Sequence, residues 1–174
     1  AICGQSVLKF PSPDAQSYED ALEASRKFID EWKDHPLIVP SVAPHAPYTC
    51  TEDILEESAA LAEEFGVPLQ THIAETAFEV ENSNKEHGMP VVPYVEKHNL
   101  FKSNVIAAHC VHLDEQEIHT MEKHGAGVIH NPTSNLKLAS GMAPIQKMLD
   151  MGVKVGIGTD GPASNNDLDM FEEM

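Results

Sequence analysis

The sequence predicts a parallel α/β fold, and three observations lead to that prediction. Short, nearly continuous apolar runs recur along the chain, as is typical of parallel strands that are covered on both faces. Segments with helix-capping residues lie between these runs, so that strand and helix alternate as in right-handed β/α units. A histidine or an aspartate follows or ends each of the last five runs.

The apolar runs predict six strands. Five of them are clear, and the sixth, at the start of the chain, is less regular. The clear runs cover residues 37–43, 67–73, 104–108, 125–129 and 153–158, and the additional one covers residues 1–7.

Capping signals predict helices between the strands. Ser, Thr and Asp favour the position before a helix, Pro favours its first turn, and Gly favours its end. The predicted starts are Ser17, Thr51, Asp114 (with Glu117 as a capping box) and Pro144, and the predicted ends include Gly66, Gly125 and Gly152. We also expect a helix to begin within residues 167–174.

Composition excludes several classes of function. Eleven Lys plus Arg against 28 Asp plus Glu give a formal net charge of −17. Such an acidic chain lacks the cationic stripe that nucleic acids or anionic membranes require. We find no apolar run long enough to span a bilayer, and we expect no signal peptide. Three cysteines do not form a disulfide framework, which favours a reducing, cytoplasmic setting.

The residues at the strand ends indicate a functional site. Parallel strands of a (β/α) barrel bring their carboxyl ends to one face, where active sites form. Imidazoles and carboxylates at that face are metal ligands and proton-transfer groups by type. The residues in question are His45, His72 with Glu75, His109, His130 with Asn131, and Asp160.

The remaining histidines lack this regularity. We interpret those within predicted helices as solvated surface, His112 as a loop residue, and Cys110 as a small buried residue. The helical histidines are His35, His87, His98, His119 and His124.

Five stretches of the sequence resemble the metal-dependent amidohydrolase superfamily, in order and over nearly the whole chain. The resemblance is strongest to its 5-methylthioadenosine/S-adenosylhomocysteine deaminases. The stretches are Pro44-His45-Ala46-Pro47-Tyr48, Thr71-His72-Ile73-Ala74-Glu75-Thr76, Ala108-His109-Cys110, the segment from Asn131 to Gly141, and the segment from Gly158 to Asn166.

The resemblance implies a role for each residue at the site. His72 and Asp160 are expected to bind one divalent metal, zinc, with iron and manganese as alternatives. Glu75, His109 and Asp160 are expected to be catalytic. His45 is expected to contact the substrate, together with Glu75 and Asp160.

The family pattern also implies that part of the barrel lies outside this sequence. The family's His-x-His ligand pair is absent, and the only arginine is Arg26, on a predicted surface helix. A complete (β/α)₈ TIM barrel takes about 250 residues. We therefore expect residues 1–174 to be a partial amidohydrolase barrel, about strands 3 to 8, without the first strands and the C-terminal part.

The expected reaction is hydrolytic deamination of an adenosine derivative (5-methylthioadenosine, S-adenosylhomocysteine or adenosine) to the inosine analogue and ammonia. Two alternatives stay open. One keeps the site and changes the substrate, as in a triazine chlorohydrolase or a guanine or cytosine deaminase. The other is an inactive fragment or pseudoenzyme. The expected binding partner is a small nucleoside substrate. We expect no binding to nucleic acid or to membranes, and we expect the protein to be a homo-oligomer.

Overall fold

The computed structural model describes residues 1–174 as six strands and seven helices, joined by loops and two 3₁₀ turns. The strands are β1 (Ile2–Val7), β2 (Val39–Pro44), β3 (Leu69–Ile73), β4 (Val105–His109), β5 (Gly127–His130) and β6 (Lys154–Ile157). The helices are α1 (Tyr18–Trp32), α2 (Glu52–Phe65), α3 (Ala77–His87), α4 (Val91–Lys97), α5 (Glu115–Lys123), α6 (Pro132–Lys137) and α7 (Ile145–Asp150).

The six strands form one parallel sheet in chain order, with β1 and β6 as its edges. Residues Ile2 to Val7 pair with Val39 to Pro44, and β5 pairs with β6 from Gly127 opposite Lys154 onward. All six predicted strands are confirmed, each within two residues of the predicted end. The prediction of parallel β/α units that make up part of a barrel is confirmed.

The predicted helix caps are present. Ser17 accepts a hydrogen bond from the backbone N of Asp20 at 3.2 Å, which satisfies a free donor of the first turn of α1. Asp114 and Glu117 form the predicted capping box, each side chain accepting from the other's backbone N, at 2.8 and 3.1 Å. Pro144 precedes α7, as expected.

The expected helix within residues 167–174 is wrong. Those residues form turns. Asn165 Oδ1 accepts from the backbone N of Leu168 at 3.0 Å, and Asp169 Oδ1 accepts from the backbone N of Phe171 at 2.8 Å. These short side chains occupy the backbone donors that a helix would need, so local turns form instead.

Contacts divide the chain into two compact units. The first comprises residues 1–71 and 95–105, and the second comprises residues 72–94 and 106–174. Aliphatic side chains from strands and helices fill the interior of each. The buried residues of the first unit include Val7, Ile29, Val42, Ile54, Leu55, Leu69 and Leu100, and those of the second include Ile73, Val92, Ile118, Met121, Val128 and Met148.

His98 corrects the interpretation of the helical histidines as surface. Its side chain is buried in the first unit, where Nδ1 lies 2.9 Å from Glu56 Oε1 and Nε2 lies 3.7 Å from Glu52 Oε1. Both carboxylates belong to α2. A histidine can be buried here because acidic side chains at its ring supply polar partners.

None of the helices is long and apolar enough to cross a membrane.

Candidate active site

Three predicted site residues lie side by side in the second unit. His72 belongs to β3 and His109 ends β4, and their rings stack with centroids 5.4 Å apart. Glu75 follows β3, and its Oε2 lies 3.7 Å from Nε2 of His109. The parallel strands thus bring imidazole and carboxylate groups together at their carboxyl ends.

The backbone at the end of β4 is unusual. His109 and the next residue, Cys110, both have positive φ, 70° and 50°. Residues other than glycine adopt this region at a cost, and such residues cluster at functional sites. Cys110 is fully buried, as predicted, and burial raises the pKa of its thiol far above the ordinary range. The backbone N of Cys110 donates to the carbonyl of Ile73 at 3.0 Å, which joins the ends of β3 and β4.

Two asparagines contact the inner nitrogen of the His109 ring. The Oδ1 of Asn135, on α6, lies 2.8 Å from His109 Nδ1, and the Nδ2 of Asn131, just before α6, lies 3.5 Å from the same atom. All three side chains are buried. The ring of His109 is therefore fixed on one side by amides, while its Nε2 faces Glu75.

The segment that carries Glu75 is held by the buried carboxylate of Glu79. Glu79 Oε1 accepts from the backbone N of Ala74 at 3.2 Å, and Oε2 accepts from the backbone N of Glu75 at 2.8 Å. Ala74 has a φ of 49° and is fully buried, so its N–H has few other partners within reach. The Glu75 side chain itself accepts from Ser140 Oγ at 3.3 Å.

The Glu79 side chain is only 4% exposed, which affects its ionisation. Burial raises the pKa of Glu79 to about 7, the nearby Glu75 charge adds to that effect, and the backbone N–H donors oppose it. Its charge state can therefore change near neutral pH.

Asp160 follows β6, and its backbone also has a positive φ, 61°. Ser134 Oγ donates to its Oδ2 at 2.7 Å, and Ser164 Oγ donates to the same oxygen. Partial desolvation of the carboxyl acts to raise the pKa of Asp160. The two hydroxyl donors outweigh it, so the pKa lies below its usual value and the group is ionised at neutral pH.

His130 ends β5 and Asn131 follows it in the same unit, as the strand pattern predicts. His130 Nδ1 is buried with no hydrogen-bond partner, and burial lowers the pKa of the ring. An added Cβ at Gly158 would lie 2.6 Å from Asn131 Oδ1. The small residue after β6 therefore leaves room for an amide that contacts His109.

His45 belongs to the first unit, directly after β2. Its Nδ1 lies 2.9 Å from Thr49 Oγ1, and its ring meets Tyr48 edge to face with centroids 6.4 Å apart. Its backbone N donates to the carbonyl of Val7 at 2.9 Å. The ring orientation is thus set by the 3₁₀ turn Pro47–Thr49 that follows it.

Two side chains of the second unit, His72 and Asp160, are predicted metal ligands. His72 and Asp160 supply an imidazole and a carboxylate, the donor types that zinc binds. The structure contains no group of three or more His, Cys, Asp and Glu side chains that could hold a metal ion. The two residues fit a metal by donor type, and a full tetrahedral set needs further ligands.

Reasoning from strand ends alone missed the residues that support the site. Glu79, Asn135, Ser140 and Ser134 lie on helices and loops, not at strand ends. Three of the four, all but Glu79, fall within the segment from Asn131 to Gly141, which resembles the superfamily. The resemblance of that segment could therefore have indicated that these three residues matter, but it does not predict which side chain each of them contacts.

The sequence profile of the amidohydrolase family matches residues 2–174, and the chain belongs to this family. It is 45% identical over 174 residues to a 5-methylthioadenosine/S-adenosylhomocysteine deaminase from Thermodesulfovibrio yellowstonii, covering 100% of this chain and 40% of the relative. It is 54% identical over 138 residues to a 5'-deoxyadenosine deaminase from Methanopyrus kandleri, covering 79% of this chain and 32% of the relative.

Among solved structures, the chain is similar to a zinc-bound adenosine deaminase from Xanthomonas campestris, with a TM-score of 0.95 and 40% identity. That match covers 99% of this chain and 39% of the other. The chain thus spans between 32% and 40% of the length of these three relatives. The predicted family resemblance is confirmed.

Proposed function

We propose that the protein containing this chain catalyses metal-dependent hydrolytic deamination of an adenosine derivative, with 5-methylthioadenosine, S-adenosylhomocysteine and adenosine as the candidate substrates. The observation that carries the proposal is the placement of Glu75 Oε2 3.7 Å from His109 Nε2, beside the stacked ring of His72. Deamination at purine C6 needs an acid that protonates the ring, a group that positions the attacking water and a base that takes a proton from that water. Carboxyl and imidazole side chains can fill these roles. Relatives named as adenosine-derivative deaminases support the choice of substrate.

Asp160 is proposed as the base. Its lowered pKa keeps the carboxylate ionised, so that it can accept a proton from the water that attacks C6. The Ser134 and Ser164 hydroxyls both occupy Oδ2 and so orient the carboxylate. Rotation of the carboxylate is restricted before the reaction begins, which lowers the entropic part of the barrier.

Glu75 is proposed as the proton donor to the ring nitrogen N1. Protonation there makes C6 a better electron acceptor for the water oxygen. The resulting tetrahedral carbon expels its amino group as ammonia, which takes the proton held by Asp160. The hydroxyl proton returns to Glu75 as the C6 carbonyl of the inosine analogue forms. His109 holds the attacking water in this scheme, and His45 contacts the substrate, a role that rests on the family pattern alone.

His72 and Asp160 would hold the divalent metal, proposed as zinc, with the remaining ligands supplied by the rest of the protein. When bound, such a metal lowers the pKa of water toward neutrality. The zinc-bound adenosine deaminase structure supports the choice of metal. The proposal includes a cytoplasmic homo-oligomer whose partner is a small nucleoside.

The test is ammonia release by the full-length protein across a substrate panel. We expect one ammonia per inosine analogue from at least one of the three adenosine derivatives. The panel also contains guanine, cytosine and a chlorinated triazine. Chloride release from the triazine, or ammonia from guanine or cytosine alone, would replace the proposal with the corresponding alternative. A metal-loaded, folded protein without turnover of any compound would favour a pseudoenzyme.

A further inference from the structure

Asn135 presents its amide oxygen to the ring of His109 in the interior of the second unit. The His109 side chain is 1% exposed and the Asn135 residue is 0% exposed, so water cannot substitute for either partner. The distance between Asn135 Oδ1 and His109 Nδ1 is 2.8 Å, that of a well-formed hydrogen bond.

The partner atom determines which ring nitrogen carries the proton. An amide oxygen only accepts hydrogen bonds, so the contact requires hydrogen on Nδ1. Asn131 Nδ2, a donor, would need a bare Nδ1, but it lies 3.5 Å away, at the limit of hydrogen-bond reach. The two contacts exclude each other in a neutral ring, and the shorter one prevails.

We propose that Asn135 is a positioning residue that holds neutral His109 in its Nδ1–H form, so that a bare Nε2 faces the reacting water. This inference rests on the proposed function for its catalytic meaning. A bare Nε2 accepts a hydrogen bond from one O–H of the water while Asp160 takes the other proton. Both hydrogens of the water are then directed away from C6, and an oxygen lone pair is directed toward it.

A second feature supports a fixed ring. His109 has a positive φ of 70°, a conformation that persists only when surrounding contacts determine it. The backbone of Asn135 is fixed in turn, since its N–H donates to the carbonyl of Asn131 at 2.9 Å and its carbonyl accepts from the backbone N of Ser140 at 2.8 Å, while its side-chain Nδ2 is buried with no hydrogen-bond partner. The acceptor for Nδ1–H is therefore in place before any substrate binds.

The test is ¹⁵N NMR of the full-length protein labelled in histidine, with the His109 signals identified by their loss in His109→Gln. We expect the Nδ1–H form in the wild type. In Asn135→Ala the remaining partner, Asn131 Nδ2, is a donor, so the population should shift to the Nε2–H form. In Asn135→Asp a carboxylate oxygen still accepts, so the Nδ1–H form should remain.

Kinetics provide the second readout. We expect Asn135→Ala to lower kcat by about 10²-fold with KM changed by less than about twofold, because water orientation and not substrate binding is lost. Asn135→Asp should retain more activity than Asn135→Ala. Asn84→Ala, an amide removed from the exposed face of α3, is the matched control and should leave both the tautomer and kcat unchanged.

The Nε2–H form in the wild type would overturn the proposal, as would an unchanged tautomer in Asn135→Ala. If Asn135→Ala does not fold, the wild-type spectrum alone still shows which ring nitrogen of His109 carries the proton. A protein with the Nδ1–H form but no deaminase activity would retain the tautomer assignment and refute the proposed function, so the two failures are distinguishable.

Discussion

At the scale of single residues, the groups proposed to react are held by neighbouring side chains that have no proposed role in the reaction. Ser134 and Ser164 orient Asp160, and Asn135 contacts His109. Glu75 differs because its backbone is held: its backbone N donates to the carboxylate of Glu79. Support of this sort fixes the geometry on which a rate enhancement depends.

Replacing Asp160 with asparagine should abolish turnover in the full-length protein. An amide oxygen can still accept from Ser134, so the local fold should persist, but an amide cannot take a proton from water. We expect ammonia release to fall by about 10³-fold. Asp150→Asn is the control, since Asp150 is exposed on α7 and accepts from Gln146 at 2.9 Å. Retention of most activity by Asp160→Asn would refute the assigned role.

Glu79 should make stability depend on pH. Its folded-state pKa, about 7, is above the unfolded value near 4.5, so the folded state binds the proton more tightly. The contribution is therefore largest below pH 4.5 and is lost as pH rises through 7. In Glu79→Gln that dependence disappears. The difference in free energy of unfolding between wild type and variant should change by about 3 kcal/mol over this range.

Denaturant unfolding of the full-length protein at several pH values measures this difference. Glu86→Gln, an exposed change on the same helix α3, is the control and should give a constant difference. A constant difference for Glu79→Gln as well would show that burial does not perturb its ionisation.

At the scale of elements, the close contact between β5 and the end of β6 depends on a glycine. An added Cβ at Gly158 would lie 2.6 Å from Asn131 Oδ1 and 2.7 Å from Ile129 Cγ2. Real Cβ atoms do not approach that closely, so one of these groups would have to move. Because Asn131 also lies 3.5 Å from His109 Nδ1, the movement would reach the site.

We therefore expect Gly158→Ala to destabilise the full-length protein by about 1–3 kcal/mol and to lower kcat. Gly161→Ala is a matched control three residues along the chain, because an added Cβ there meets nothing within 4 Å. Thermal unfolding measures both variants. Equal melting temperatures for the two would contradict the steric account.

The elements differ in how far the sequence predicts them. Parallel strands covered on both faces need continuous apolar runs, and five strands were predictable for that reason. The edge strand β1 alternates between exposed and partly buried residues, which is why its run is the less regular one. No start was predicted for α3, α4 or α6, although His87 and His98 were placed within predicted helices. The helix α3 is largely polar, and α4 and α6 have only seven and six residues, too few for a clear apolar stripe. The final turns were also missed, because Asn and Asp side chains override the backbone locally.

The residues of the candidate site also differ in how far the sequence predicts them. His72, Glu75, His109 and Asp160 could be proposed from strand ends, since parallel strands bring those ends to one face. Contacts between residues far apart in the sequence could not, such as Ser140 with Glu75 across 65 positions. They depend on loop conformation, which periodicity does not describe.

At the scale of the whole molecule, the chain covers 32% to 40% of the length of the two deaminase relatives described above, and only two of the proposed metal ligands lie within it. His72 and Asp160 are two proposed ligands, and a zinc site needs four, or three with a water. We expect about one zinc per full-length protein and little retained zinc in the isolated 174-residue chain, measured by elemental analysis after dialysis. Tight stoichiometric zinc in the isolated chain, with folding verified by circular dichroism, would contradict this expectation.

The most direct test of the central claim is the product balance when the full-length, zinc-loaded protein acts on 5-methylthioadenosine, S-adenosylhomocysteine and adenosine, with Glu75→Gln measured in parallel. Deamination with Glu75 as the acid predicts one ammonia per inosine analogue from at least one of them and a loss of about 10²-fold or more in Glu75→Gln, because glutamine cannot protonate N1. No ammonia from any of these compounds, or a Glu75→Gln variant that keeps most of the rate, would contradict it.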